Sequence, residues 1–560
     1  MSINFFLGTY EGAVLHTLKA LQKDRIVQRI WDQDYTVWKS TPDDIINRLG
    51  WLDAPADALK QLSYVHTVLD PVITAGYKNA VLLGMGGSSL AAEVFSEIFG
   101  RREGHPNLHI LDTTDPTAIS RISKELNLQE TMFLVSSKSG TTLETVSLFH
   151  YFYNLALKKL GKRAGRNFII ITDPGSPMEE LANRLSLRHV FLNNPAIGGR
   201  YSALSFPGIV PAALLGIDVD SLLRNALVVA EKEEANNFNG KLNSSGSVLG
   251  AVLGTLAQKG RNKLTLILPP SWTSFSNWLE QLIAESTGKE GKGILPVCAE
   301  PLNVPAAYNN DRLFVIFHTK EKANSSKVSA IIAAGHPVIT VQLQNKFHLA
   351  GQMFLWEMAT AVAGHIMGIN PFNQPDVEAT KVITRRIIDL YREKKEPPHE
   401  KTLPTTPGCN ENDCTTTSTP GKALADFLVG ATDDAYICLQ VYLKSTPEIN
   451  AAIRRLAATI SKKYRLAVTI GYGPRYLHST GQLHKGDAGQ GLFIQLTSRD
   501  LRDIEIPDQI GASGSTLTFG ALKSAQAAGD RQALMELGRK VIHFHLGKNI
   551  IANIKILIDI

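Results

Sequence analysis

Short runs of aliphatic and β-branched residues recur along the chain, each followed by a polar or glycine-rich turn and then an amphipathic stretch. The runs fall at 80–83, 132–135, 168–171, 264–268, 313–317 and 338–341. They are apolar throughout rather than alternating, so each predicts a strand covered on both faces. Strand, loop and helix in repetition predict an α/β fold with parallel sheets. The pattern occurs twice, over 76–240 and 241–396. A third α/β block, 421–560, is predicted from strands at 436–443, 466–470 and 492–496 and helices at 447–464 and 522–538. Residues 1–75 read as a helical segment, with 43–52 at helical spacing. Residues 397–420, rich in Pro, Thr, Ser, Asn and Gly, read as a linker or exposed loop. Sequence similarity between the blocks is faint.

Composition narrows the classes. The chain has 560 residues, 44% of them apolar and 20% charged, enough apolar surface to exclude disorder as a whole. Its 44 Gly and 26 Pro follow no short period, which excludes a collagen-like chain. The formal charge is 58 − 52 = +6, and the basic residues occur only in short groups, such as Arg392, Glu393, Lys394, Lys395 and Glu396, where acids interrupt them. A nucleic-acid partner is therefore not expected. Four cysteines, Cys298, Cys409, Cys414 and Cys438, are too few for a disulfide scaffold. No run of about 18 apolar residues predicts a membrane span, and no signal peptide is visible. A cytoplasmic protein is expected.

Two loops have the makings of an anion site. Residues 84–90 read Gly-Met-Gly-Gly-Ser-Ser-Leu, between a strand and a helix. Glycine admits close backbone approach, and a helix start offers free N–H donors. Ser89 stands where the dinucleotide fingerprint needs Gly, which weakens a dehydrogenase reading. By itself this turn reads equally as a ligand loop or a tight turn. Residues 136–142 read Ser-Ser-Lys-Ser-Gly-Thr-Thr and open another helix. One hydroxyl suffices for an N-cap, whereas five hydroxyls and a lysine make a donor set for phosphate. Together the loops resemble the sugar isomerase (SIS) module, which binds phosphosugars.

Candidate chemistry lies further on. Residues 281–289 read Gln-Leu-Ile-Ala-Glu-Ser-Thr-Gly-Lys at the end of an amphipathic helix. Gln281 and Glu285 project together, four residues apart, and Gly288 suits a C-cap. A carboxylate in a cleft can shuttle a proton between two carbons, although the spacing alone favours an exposed helix-end Glu. Gln374 and Lys381, seven apart, are expected on one helix face, with Pro375 in its first turn. Arg200, in Gly-Gly-Arg-Tyr-Ser, could stabilise an enediolate oxygen or pair with a surface acid.

In this order the segments resemble the glucose-6-phosphate isomerases, most closely the isomerase half of bifunctional transaldolase/glucose-6-phosphate isomerases. Glu-Ser-Thr-Gly-Lys is similar to that family's active-site helix. Gly-Gly-Arg-Tyr-Ser and the Gln-x-x-Val-Glu-x-x-Lys segment resemble two further family motifs. The resemblance implies tandem SIS-type three-layer α/β/α modules and an aldose–ketose isomerase acting on glucose 6-phosphate and fructose 6-phosphate. It implies a small-molecule sugar phosphate as partner, a homodimer, and neither metal nor organic cofactor. By matched position, Gly87, Ser88, Ser137, Lys138, Ser139 and Thr142 would bind the sugar phosphate, with Gln281 and Gln374 positioning the sugar. Glu285 would move the proton through a cis-enediol, Arg200 would hold the enediolate, and Lys381 would assist ring opening. The family's ring-opening histidine has no counterpart between Glu285 and Lys381. His484, in the late Ser-Thr-Gly-Gln-Leu-His segment, is the expected substitute, with His478, His348 and His318 left open. Two other readings remain: a dual phosphoglucose/phosphomannose isomerase, and a non-catalytic phosphosugar sensor. The transaldolase half is not expected in this chain.

Overall fold

The computed structural model describes residues 2–235, 242–298, 300–319, 326–394 and 419–558. Cys409, Cys414 and almost all of the expected 397–420 linker lie outside the described residues.

Three sheets carry the chain. The first runs, in spatial order, Asn107–Leu111, Asn79–Leu83, Thr131–Ser136, Phe168–Thr172 and His189–Leu192, all parallel. The second runs Leu295–Val297, Lys263–Ile267, Arg312–His318, Val338–Gln342 and Ser2–Phe6. The third runs Ala467–Tyr472, Tyr436–Tyr442, Gly491–Thr497 and Lys540–His545, again parallel. In each sheet the first four strands of the unit lie in the spatial order second, first, third, fourth. The three units thus share one topology although their sequences barely resemble one another. The inner strands, such as Thr131–Ser136, Phe168–Thr172, Tyr436–Tyr442 and Gly491–Thr497, are buried on both faces, as their unbroken apolar runs require, while the edge strands Ser2–Phe6, Asn107–Leu111 and His189–Leu192 are partly exposed.

Two expectations for the N-terminal 75 residues are corrected. Ser2–Phe6 is a strand, antiparallel to Val338–Gln342 on the open edge of the second sheet. Covering that edge satisfies a row of backbone groups that would otherwise stay unpaired. The helical spacing at 43–52 yields only a short turn, Ile46–Arg48, with Asp44 at φ 53°. A non-glycine residue in that region breaks helical continuity. A long helix, Ala54–Thr74, follows.

Glycine determines how two central helices meet. Gly246, Gly250 and Gly254 lie on one face of Gly246–Gln258, spaced four apart. A Cβ on Gly246 would sit 2.5 Å from Leu355 O, and one on Gly250 2.5 Å from Ala359 O. The partner, His348–Met367, is buried nearly all round, as a helix that is apolar on every face must be. Among the described residues no helix is long and apolar enough to cross a membrane.

The third unit is seated on the other two by shared apolar layers, Phe519 and Leu522 with the first and Tyr436 and Phe493 with the second, and by charged and polar contacts. Lys523 Nζ reaches Asp115 (2.9 Å) and Asp500 (2.5 Å). Arg475 bonds Glu93 through both terminal nitrogens and lies 3.3 Å from Asp112. A Cβ on Gly288, at the end of helix Thr273–Thr287, would lie 2.3 Å from Leu483 Cα. Gly288 is therefore small because the third unit lies against it. It is also the C-cap of that helix, as expected, with φ −79° and its N–H donating to Ala284 O at 2.9 Å.

Candidate active site

The strand order of the first sheet reverses between Asn79–Leu83 and Thr131–Ser136, the place where open parallel sheets bind ligands. The two candidate loops leave these strands side by side. After Ser136 comes helix Leu143–Leu160, whose N-cap Thr142 makes no side-chain cap bond. Its hydroxyl accepts instead from Ser137 Oγ at 3.3 Å. The first-turn amides are thus left to an outside acceptor, at the positive end of an 18-residue helix. Ser139 and Thr141 lie at the exposed rim, their hydroxyls 2.9 Å apart. Lys138 does not join them: its Nζ binds Asp173 at 2.5 Å and Pro195 O at 2.8 Å. Burial pulls the Lys138 ammonium below its usual range, against Asp173, which favours the charge. The anion loop thus presents hydroxyls and amides, with its lysine turned to the neighbouring strand end. Ser88 and Lys138 line one small recess.

The glycines of 84–89 serve chain approach. Gly86 has φ +54°, and a Cβ there would sit 2.8 Å from Gln281 Nε2 and 2.9 Å from His478 O. A Cβ on Gly87 would lie 2.0 Å from Gly199 O. The turn that holds Arg200, Gly199–Tyr201, packs directly on the glycine turn.

Arg200 is 3% exposed and all its donors are used. Nε donates to Ser286 Oγ (2.7 Å), Nη1 to Gln374 Oε1 (2.9 Å), and Nη2 to Pro371 O (2.7 Å) and Asn373 O (3.1 Å). Nη1 also lies 3.2 Å from Glu285 Oε1. Gln281 Nε2 holds the other carboxylate oxygen at 3.0 Å and binds His478 O at 2.8 Å. The structure therefore brings Glu285, Gln281, Arg200 and Gln374 together. Gln374 precedes a short turn, Pro375–Val377, and lies outside helix Glu378–Lys394. The expected shared helix face of Gln374 and Lys381 does not exist. Lys381 is exposed and pairs with Glu378 at 3.0 Å.

The histidine next to this cluster is His478, in the turn Arg475–His478. Its Nε2 lies 2.8 Å from Glu144 Oε1. Burial disfavours the imidazolium, but Glu144 outweighs it and Glu285 adds to it against Lys381, so His478 is raised above its ordinary range. Burial also pushes the Glu144 carboxyl up, and the charge and hydrogen bonds around it, His478 first, hold it lower on balance. His484 is placed elsewhere, correcting the expectation that it opens the ring. Its ring lies between Tyr476 (5.7 Å) and Phe493 (5.0 Å). Both ring nitrogens are buried without a hydrogen-bond partner, and burial pulls it down to about 3. It is a neutral core residue. His348 begins helix His348–Met367 and His318 ends strand Arg312–His318, neither among the contacts of Glu285.

The sequence profile of the family described as phosphoglucose isomerase matches residues 72–293. A glucose-6-phosphate isomerase of Campylobacter jejuni is 28% identical over 360 residues, covering 56% of this chain and 86% of that protein. One of Rubrobacter xylanophilus is 28% identical over 368 residues, covering 57% and 84%. Residues 72–293 are thus similar to the phosphoglucose isomerase family. A solved hypothetical protein of Thermus thermophilus shares the fold, with a TM-score of 0.57 at 23% identity, over 69% of this chain and 99% of that one.

The stretch matched by the phosphoglucose isomerase profile holds the anion loop, Arg200, Gln281 and Glu285. Gln374, Lys381 and His478 come from beyond it. Three more residues at the site were not singled out from sequence. Ser286 anchors Arg200. Lys289, 1% exposed, binds Asn373 O and Oδ1 at 2.5 and 3.1 Å, and burial beside Arg200 pulls it well below its usual range. Glu144 matches a capping box with Thr141, yet its carboxylate turns inward to His478. Ser286 and Lys289 left a signal as members of the quoted helix-end motif, whereas the capping-box match of Glu144 points to a different role. Among the described residues no group of three or more His, Cys, Asp or Glu is arranged to hold a metal.

Proposed function

We propose that the protein interconverts glucose 6-phosphate and fructose 6-phosphate through a cis-enediol. The observation that carries this reading is the Glu285 carboxylate, held on one oxygen by Gln281 and on the other by Arg200. Moving a proton between C2 and C1 needs one carboxylate that takes it from one carbon and returns it to the other. The charge that develops on the neighbouring oxygens needs a fixed cation, and Arg200 is held by four further contacts so that little reorganisation accompanies the step. The phosphate would sit at the uncapped start of Leu143–Leu160, on the Ser137–Thr142 hydroxyls and amides. Gln374 and Gln281 would orient the hydroxyls of the sugar. Ring opening puts a proton on the ring oxygen while the anomeric hydroxyl gives one up to solvent water. His478, raised above its ordinary range chiefly by Glu144 against its burial, is the group we assign to it, with Lys381 assisting from the rim.

The test is turnover of fructose 6-phosphate, read as glucose 6-phosphate by a coupled dehydrogenase. Glu285→Gln should lower kcat by about 100- to 10,000-fold, the usual contribution of a general base. Unchanged turnover in that variant removes Glu285 from the mechanism. A wild-type protein that binds the sugar phosphate without turning it over is a sensor instead.

A further inference from the structure

The His478–Glu144 pair has a third member that the reading above leaves unused. Gln526 lies in the third unit's helix Phe519–Glu536, 4% exposed. Its Nε2 donates to Glu144 Oε1 at 2.7 Å, the oxygen that also meets His478. Its Oε1 accepts from Thr114 Oγ1 at 3.0 Å. An ionised carboxylate can only accept, so the amide nitrogen must face Glu144, and the Thr114 hydroxyl then has one acceptor left to it.

We propose that Gln526 is a positioning residue for ring opening, its amide fixed by Thr114 so as to hold the Glu144 carboxylate against His478. Histidine and glutamate come from different units, His478 from the third and Glu144 from the first. A buried carboxylate has several rotamers, and a second donor on the same oxygen selects the one that meets the imidazole. The charged groups acting on His478 are Glu144, Glu285 and Lys381. Gln526 touches only the first, so its removal should affect the pair without touching the Glu285–Arg200 cluster. The inference rests on His478 as the ring-opening group.

The experiment compares two substrates. Fructose 6-phosphate needs its ring opened, whereas erythrose 4-phosphate is acyclic because its 4-hydroxyl carries the phosphate. Gln526→Met should lower kcat/KM for fructose 6-phosphate by about tenfold or more, the scale of one hydrogen bond to a buried charge, and leave erythrose 4-phosphate within about twofold. Gln526→Glu, the isosteric variant, sets a second buried carboxyl against Glu144; the two share one proton near neutral pH, and its loss as the pH rises adds a charge that favours the imidazolium. The pH limb seen with fructose 6-phosphate but not with erythrose 4-phosphate should therefore move to higher pH. Wild-type kcat/KM on fructose 6-phosphate for Gln526→Met, or a parallel loss on both substrates, overturns the inference. His478→Asn separates the layers. If it spares fructose 6-phosphate turnover, the role of His478 falls and Gln526 with it. If it abolishes that turnover while both Gln526 variants match wild type in rate and pH limb, the Gln526 inference alone falls.

Discussion

Two histidines six residues apart meet opposite fates, and local sequence does not separate them. Each sits beside polar residues in a short helical turn. What decides is the direction of each ring: His478 toward Glu144, His484 into the apolar layer beneath Tyr476 and Phe493. That direction depends on how the third unit seats on the first, a contact some 330 residues long in sequence terms. Glu285, Gln281 and Arg200 were legible because they lie in compact motifs whose partners are close in kind if not in sequence. His484 also has a measurable signature. Its folded pKa of about 3 lies below the unfolded value of about 6.5. Below pH 6.5 the unfolded chain therefore binds a proton that the folded one does not, and stability falls by up to about 1.4 kcal/mol per pH unit as the pH drops toward 3. His484→Phe, which sacrifices no hydrogen bond, should flatten this slope, seen as a smaller shift in urea midpoint between pH 7 and pH 5. An equal shift in both proteins would mean that the ring charges in the folded state.

At the scale of elements, the legible parts were those set by hydrophobic run length. The strands fall where apolar runs fall, and helix Pro447–Tyr464 is bounded by Thr446, whose hydroxyl accepts from Ile449 N at 3.3 Å, and by Pro447 at its first turn. The glycines were harder. Sequence leaves Gly86–Gly87 open between a ligand loop and a tight turn, and marks Gly288 as the helix cap that it is. In the structure all three make room for another segment: Gln281 and His478, Gly199, and Leu483. A glycine needed for approach looks no different in sequence from one needed for a positive φ. Gly87→Ala tests the distinction. Its Cβ would lie 2.0 Å from Gly199 O, so the Arg200 turn must move away. We expect a loss of about 1–3 kcal/mol in stability by urea denaturation, as for other overpacked sites, with a fall in kcat. A purely anion-binding glycine would instead raise KM and leave the urea midpoint in place.

For the whole molecule, one site draws on three units of the same topology. The first supplies the anion loop, Glu144 and Arg200, the second Glu285 and Gln281, and the third His478. Every one of these groups comes from a single chain. Specific activity should accordingly stay constant on dilution from micromolar to nanomolar protein, whatever mass sedimentation reports. Activity that falls along with dissociation would show that a second copy supplies part of the site. The α/β character and the parallel sheets were readable from the repeating pattern, but the shared strand order was not, because topology leaves no periodic trace in sequence. Nor was the antiparallel edge strand, whose partner lies some 340 residues away. That separation has a consequence for how the protein is made. Chains emerge at about 5–20 residues per second, so Ser2–Phe6 leaves the ribosome roughly 20–70 s before Val338–Gln342 exists to receive it. For that interval Ile3, Phe5 and Phe6 travel as a short, sticky, unclaimed strand, a natural foothold for a chaperone on the nascent chain.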